Sequence, residues 1–295
     1  STITNCYNTG TVIGTGYHIG GLLGVNFMSN ISNCFNAGTV TGETFTGGLV
    51  GHNFGSISNC YNTGTLTGVT ITGGFVGWNN NSSITDCYST GIVSGEYDTG
   101  GLVGENNNNS TISDCYSTGN VTGTGSYTGG LIGDNNSSNI TNCYSSGNVT
   151  GESATGGLVG DNDGTINYSF WDTETSGQST SEGGTGKTTA EMKMQSTYTN
   201  AGWSFPDVWN INPDMNDAYP YLNYPNSVAN DEIVIDIPLC NEVVLHPAFP
   251  NPFNPSTTIA FDLTRPENVK IDIYNVKGQL VKHLANKIYD KGSHS

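Results

Sequence analysis

Along the first 170 positions, apolar residues never gather into long runs. They come as short β-branched or aromatic pulses between glycines, and the same pulse returns about every 27 residues. One unit reads Ile-x-Asn/Asp-Cys-Tyr/Phe-Asn/Ser-x-Gly-x-Val/Leu-x-Gly, then a variable tetra- or pentapeptide, then Gly-Gly-Leu/Phe-Val/Ile/Leu-Gly-x-Asn. Cysteines fall at Cys6, Cys34, Cys60, Cys87, Cys115 and Cys143, in steps of 28, 26, 27, 28 and 28 residues. Gly-Gly pairs begin at Gly20, Gly47, Gly73, Gly100, Gly129 and Gly156, and asparagines come after them at Asn26, Asn53, Asn79, Asn106, Asn135 and Asn162. A seventh unit opens at Ile166, with Ser169 in the cysteine column and Phe170 in the aromatic one.

Helix is disfavoured, because nothing recurs at 3.6 residues and glycine interrupts every few positions. Length varies only before Gly-Gly and after the asparagine, which predicts loops there and three short strands per unit. A 27-residue unit cannot bury its own apolar face, but stacked units can, each strand pairing with its equivalent about 4.8 Å away. The pattern therefore predicts an all-β fold built on a parallel β-solenoid. The Cys, Val/Leu and Leu/Val columns would line its core, and the asparagines would form an amide ladder at a corner.

The run Gly100-Gly101-Leu102-Val103-Gly104-Glu105-Asn106 resembles the GLUG motif of bacterial surface proteins and of non-catalytic parts of some immunoglobulin-A-cleaving proteases. The resemblance covers residues 1 to about 170 in six copies and implies an extracellular, structural or adhesive role without catalytic residues.

Beyond Trp171 the period is lost. Ser-, Thr- and Gly-rich sequence gives way to a helix-compatible Ala190–Met194, then to an aromatic cluster of Trp203, Phe205, Trp209, Tyr219, Tyr221 and Leu222. A solenoid end exposes strand edges and needs covering, so residues 171–225 are expected to cap it, a sugar-stacking platform being the alternative. This segment resembles those found C-terminal to GLUG arrays in related bacterial proteins. Residues 226–245 read as a linker. From His246 the composition shifts again, to Phe249-Pro250-Asn251-Pro252-Phe253-Asn254-Pro255-Ser256-Thr257-Thr258-Ile259, then to alternating Val269, Ile271 and Ile273 and a strand–turn–strand pattern. Residues 246–295 resemble the C-terminal sorting domain of type IX secretion substrates, an Ig-like β-sandwich. The resemblance implies handling by the type IX machinery, export to the outer-membrane surface or beyond, and Pro250, Asn251, Pro252, Phe253, Asn254, Pro255 and Ser256 as the sorting motif. Family members continue through further strands, so this sandwich is expected to be partial.

Composition sharpens the picture. Only 34% of residues are hydrophobic and 11% charged, against 41 glycines, as suits a frequently turning β-architecture. Net charge is −17, and all eight basic residues lie from Lys187 onward. A 186-residue segment without a cation cannot neutralise phosphates, which excludes nucleic acid and anionic membrane as partners. No apolar run approaches the roughly 20 residues of a membrane span. Extracellular polysaccharide or a host or cell-surface protein remain as partners.

Candidate chemistry is sparse. The cysteines lack the close pairs of metal sites, and inward parallel side chains seldom reach disulfide dihedrals, so they read as buried apolar thiols. Gly183-Gly184-Thr185-Gly186-Lys187-Thr188 mimics a phosphate-binding loop but has Ser181 where the first glycine belongs. The position before the asparagine changes from Val25, His52 and Trp78 to Glu105, Asp134 and Asp161. These carboxylates are solvated, or with Asp163 they hold calcium. Two rungs apart, at about 9.6 Å, they also fit the loose end of inverting-glycosidase spacing. The reading is a non-enzymatic surface protein without a required cofactor; the alternatives are a carbohydrate-active β-helix enzyme or an accessory region of a larger surface protease.

Overall fold

A computed structural model describes residues 1–223, 244–245, 258, 260–263, 267–274 and 280–294. Two compact units are present, 1–227 and 228–295.

In the first unit every rung contributes to four parallel sheets. The cysteine sheet is built from strands such as Ser56–Asn62, Ser83–Ser89 and Thr111–Ser117, paired so that Cys60, Cys87 and Cys115 stand in register. The valine sheet stacks six two- or three-residue strands, among them Val40–Thr41, Leu66–Thr67 and Val93–Gly95. A threonine sheet stacks Tyr17–Gly20, Thr44–Gly47, Thr70–Gly73, Tyr97–Gly100, Ser126–Gly129 and Ser153–Gly156. An asparagine sheet stacks Leu23–Asn26, Val50–Asn53, Val76–Asn80, Val103–Asn107, Ile132–Asn135 and Val159–Asn162. The fold class is the expected parallel solenoid, with four strands per rung in place of three. The correction lies in the stretch before Gly-Gly, expected as a loop. It pairs Thr46 with Thr72 and Thr72 with Thr99, and so is a strand.

The core holds the predicted columns. Ile57, Ile84, Ile112, Leu102, Val103, Cys87 and Cys115 are all buried in one continuous cluster. At the corner the asparagine amides form the predicted ladder. Nδ2 donates to Oδ1 of the next rung from Asn26 through Asn53, Asn79, Asn106 and Asn135 to Asn162, at 2.7–2.8 Å throughout. A second, shorter ladder runs Asn8–Asn36–Asn62, each bond 2.7 Å.

The cysteines do more than fill space. The residue before each, such as Asn33 (φ 53°), Asn59 (52°) or Asp86 (53°), is left-handed and breaks the strand's regular bonding. The Cys34 amide therefore donates to Cys60 Sγ at 3.2 Å, and the Cys60 thiol donates to Ser58 O at 3.1 Å. Ser169, in the same column, accepts from the Cys143 amide at 3.1 Å. All six solenoid cysteines are free thiols.

Past Trp171 the chain does two things. Residues 173–187 wind an irregular last turn that accepts the amides of the final rung. Val149 donates to Ser176 O, Gly157 to Thr180 O, and Leu158 and Val159 to Ser181 Oγ, at 2.9–3.2 Å. Thr185–Lys187, inside the sequence that mimics a phosphate loop, is a strand paired to Phe170–Asp172. Residues 188–223 then lie as a plate against the outer face of the cysteine sheet. The plate comprises a helix at Thr189–Met192, held by a Thr188–Glu191 capping box, a helix at Gln195–Thr199, and an antiparallel pair, Trp209–Asn210 with Tyr221–Leu222. Its Tyr198, Trp203, Trp209 and Tyr219 are buried against Tyr116, Tyr144 and Phe170. These rings are therefore a core and offer no open sugar platform.

In the second unit, Phe261–Leu263 pairs antiparallel with Val244–Leu245 and Gly292–His294, and Glu267–Tyr274 pairs with Leu280–Tyr289. Leu263 and Val269 are buried, with Tyr289 packed on them. The Pro250–Ser256 motif and Cys240 lie outside the described residues.

Candidate functional site

The site begins with a backbone irregularity. The second residue of each threonine strand is left-handed: His18 (φ 61°), Phe45 (53°), Ile71 (55°), Asp98 (45°), Tyr127 (61°) and Ala154 (46°). The glycine of Gly-x-Asn lets the asparagine sheet approach this kink directly. A Cβ on Gly51 would stand 2.7 Å from both Gly24 O and the His18 carbonyl carbon. The kinked column and the x column consequently form one ridge. His18 stacks on His52 at 5.2 Å and Phe45 on Trp78 at 4.9 Å, each pair offset by one rung.

Two chemistries divide the ridge. Its first three rungs hold stacked rings, with His52 also packed on Trp78 at 4.3 Å and on Phe54 at 3.9 Å. His52 is buried, and burial with the nearby His18 lowers its pKa to about 4, so it is neutral at ordinary pH. The later rungs hold Asp98, Glu105, Asp134 and Asp161, all half-buried, with Glu105, Asp134 and Asp161 in register. Burial, then the charges of Glu105 and Asp161, pushes Asp98 up to about 6. Burial, then Glu105, Asp98, Asp161 and Asp163, pushes Asp134 up to about 7. Glu105 is raised by burial, against the pull of the Asn107 amide and the Trp78 indole.

With no basic residue before Lys187, relief for these charges comes from protons or from a cation brought by solvent or ligand. Among the described residues, no three His, Cys, Asp or Glu groups converge as a metal site, so Glu105, Asp134, Asp161 and Asp163 stand as a spaced stripe. Asp98 had no sequence signal, because its segment reads as a loop of varying composition.

A second outward feature is the ring ladder on the cysteine sheet. Tyr7, Phe35, Tyr61, Tyr88, Tyr116 and Tyr144 stack at 4.8–5.2 Å and within 10° of parallel. The spacing is that of the strands, so ring faces are occupied by one another and only edges face outward. The plate covers Tyr116 and Tyr144. Tyr144 Oη donates to Pro220 O at 2.6 Å, and Trp209 Nε1 donates to Asp114 Oδ1 at 3.1 Å. Among the described residues no helix is long and apolar enough to cross a membrane.

Comparison with known proteins agrees with this geometry. The GLUG motif family matches residues 15–41, 46–67, 68–94, 95–122 and 124–150, and the secretion system C-terminal sorting domain matches 247–294. A protein of Evansella cellulosilytica, provisionally described as a Gly-rich membrane protein, is 40% identical over 79 residues. That match covers 24% of this chain and spans only 9% of the relative's length. A crystal structure from Bacteroides ovatus, described as a candidate immunoglobulin A1 protease, shares the fold at 19% identity, a TM-score of 0.50 and 74% coverage of each chain. The chain is thus a GLUG-repeat β-solenoid protein with a type IX C-terminal sorting domain, a tail that implies export to the cell surface or the extracellular space.

Proposed function

We propose that the protein works outside the cell as an adhesin-like structural repeat protein without a reaction of its own. Its ridge would meet an extracellular polysaccharide or a host or cell-surface protein. One observation supports this above the others. The columns that repeat (Cys, Ile, Leu, Asn, Thr) are interior, while the ridge changes from apolar and aromatic to acidic along the solenoid within an unchanged backbone. Constant scaffold with variable outward positions is how repeat proteins build recognition surfaces. In this reading residues 1–170 display, 171–225 close and brace, 226–245 link, and 246–295 address the chain to the secretion machinery through Pro250–Ser256.

The test is binding of the whole chain to immobilised acidic and neutral polysaccharides and to intact cells, with Trp78→Ala and Asp134→Asn. Binding lost in either variant at unchanged melting temperature supports the ridge; binding indifferent to both removes it. A carbohydrate-active reading has one observation in its favour, the Asp134 carboxyl near neutral pKa among further carboxylates. Release of reducing ends that stops in Asp134→Asn would establish it. The description attached to the B. ovatus structure favours an accessory role beside a protease domain, which the full reading frame would reveal.

A further inference from the structure

Where the plate meets the fifth and sixth rungs it leaves an open cleft of about 520 Å³, in the size range of small-ligand sites. Its walls come from five separate stretches of chain. Thr118 and Ser146 stand at equivalent places on successive rungs, Thr175 comes from the closing turn, Thr189 and Lys193 from the first plate helix and its end, and Tyr219 from the loop before the last strand. The lining is hydroxyl-rich, and several of these hydroxyls already donate inward. Thr175 Oγ1 donates to Ser146 O at 2.7 Å, Thr189 Oγ1 to Asp172 Oδ1 at 3.0 Å and Tyr219 Oη to Asp172 Oδ2 at 2.6 Å. Thr118 and Ser146 hydroxyls have no partner among the described residues and can donate.

Charge singles out the same place. The first 186 residues carry no cation, and Lys187 is engaged with Glu191 at 3.8 Å. Lys193 has no carboxylate within ion-pair distance among the described residues, and its Nζ sits 4.9 Å from the centre of the Tyr219 ring. Another part of the lining is held in an unfavourable backbone. Asn216, Asp217 and Ala218 are consecutively left-handed, at φ 47°, 51° and 65°. Such residues cost of order 1–3 kcal/mol each and persist where surrounding contacts fix them. Here Asn216 Nδ2 donates to Tyr144 Oη and to Pro220 O, both at 2.8 Å, which anchors the loop whose Asp217 also lines the cleft.

We propose that this cleft binds an acidic saccharide unit, with its carboxylate on Lys193 and its hydroxyls on Thr118, Ser146, Thr175 and Asp217. A neutral sugar would leave the ammonium with the Tyr219 ring alone and no counter-charge, and a simple anion would leave the hydroxyl wall unused. The inference goes beyond the adhesive reading and uses none of the ridge residues.

The test is calorimetry and ligand-observed NMR on the full chain with digalacturonate and with its neutral counterpart, galactobiose. Digalacturonate is expected to bind, and Lys193→Gln to weaken it about tenfold, as removal of a charge-assisted bond does. Galactobiose is expected to be weaker by a similar factor. Ser146→Ala with Thr118→Val weakens both sugars. Absence of binding at about 10 mM or equal affinity in Lys193→Gln would each overturn the proposal. Lys193 is exposed, so its replacement leaves the fold intact.

Discussion

The interior columns and the ridge come from the same six rungs, yet they treat substitution in opposite ways. In the asparagine column the amides from Asn53 to Asn135 are buried and commit donor and acceptor to their neighbours, so one identity is required at those rungs. One position earlier on the same strands, the ridge runs Val25, His52, Trp78, Glu105, Asp134, Asp161 without altering the register. Side chains on adjacent strand residues point to opposite faces, so a one-residue step separates a position that holds the fold from one free to diversify.

The largest expected effect breaks the interior. Asn79→Ala removes the acceptor of Asn53 and the donor to Asn106, and also the partner of Ser82 Oγ. Two orphaned buried groups predict a loss of about 2–4 kcal/mol in urea unfolding, whereas Trp78→Ala beside it should cost far less. Leu102→Ala, in the centre of the core, belongs with the first, at about 2–5 kcal/mol.

A smaller effect sharpens the role of the thiols. Cys60→Val keeps the position apolar at a somewhat larger volume but leaves the Cys34 amide without its Sγ acceptor, for about 1–3 kcal/mol. Cys60→Ser keeps an acceptor, as Ser169 already does in its own rung, and should be the milder change. The reverse order would mean that the column is only apolar filling.

The smallest effect lies on the ridge and has a definite sign. A carboxylate whose pKa is raised by folding costs nothing below its unfolded value near 4 and destabilises progressively as pH rises through the folded value. For Asp98 and Asp134 that window runs from about pH 4 to about pH 7. Asp98→Asn with Asp134→Asn should therefore melt like the parent at pH 4 and above it at pH 8. Solvent screening limits the gain to a few degrees at most, about 1 kcal/mol. If the stripe takes up calcium, millimolar calcium at pH 8 raises the parent's melting temperature and leaves the double variant's unchanged.

Much of this contrast was legible in the sequence. The cysteines, Gly-Gly pairs and asparagines repeat by type, and only stacking in register explains such repetition, so the core columns and the amide ladder could be read directly. The fourth strand was hidden because Thr-x-Thr-Gly varies in composition and abuts a point of length variation. Its left-handed residue has no fixed identity, ranging from His18 to Ala154, and Asp98 was lost with it. The cysteine column was legible as buried, but its duty toward an orphaned amide depends on the kink at residues such as Asn33 and Asn59. The aromatic cluster around Trp209 was legible as a cluster. Its seat on Tyr116 and Tyr144, nearly a hundred residues away in sequence for the first pair, carried no local signal.

The central claim is that the interior columns hold the fold while the ridge is free to change, and it is tested most directly by a saturation scan of residues 44–135. Displayed variants would be selected for protease resistance and each position scored for tolerance. The structure predicts that Asn53, Asn79, Asn106, Cys60, Cys87, Leu102 and their glycine neighbours accept almost nothing. Trp78, Asp98, Glu105, Tyr127 and Asp134 should accept most polar and apolar residues. Ridge positions as intolerant as the asparagine column would contradict it.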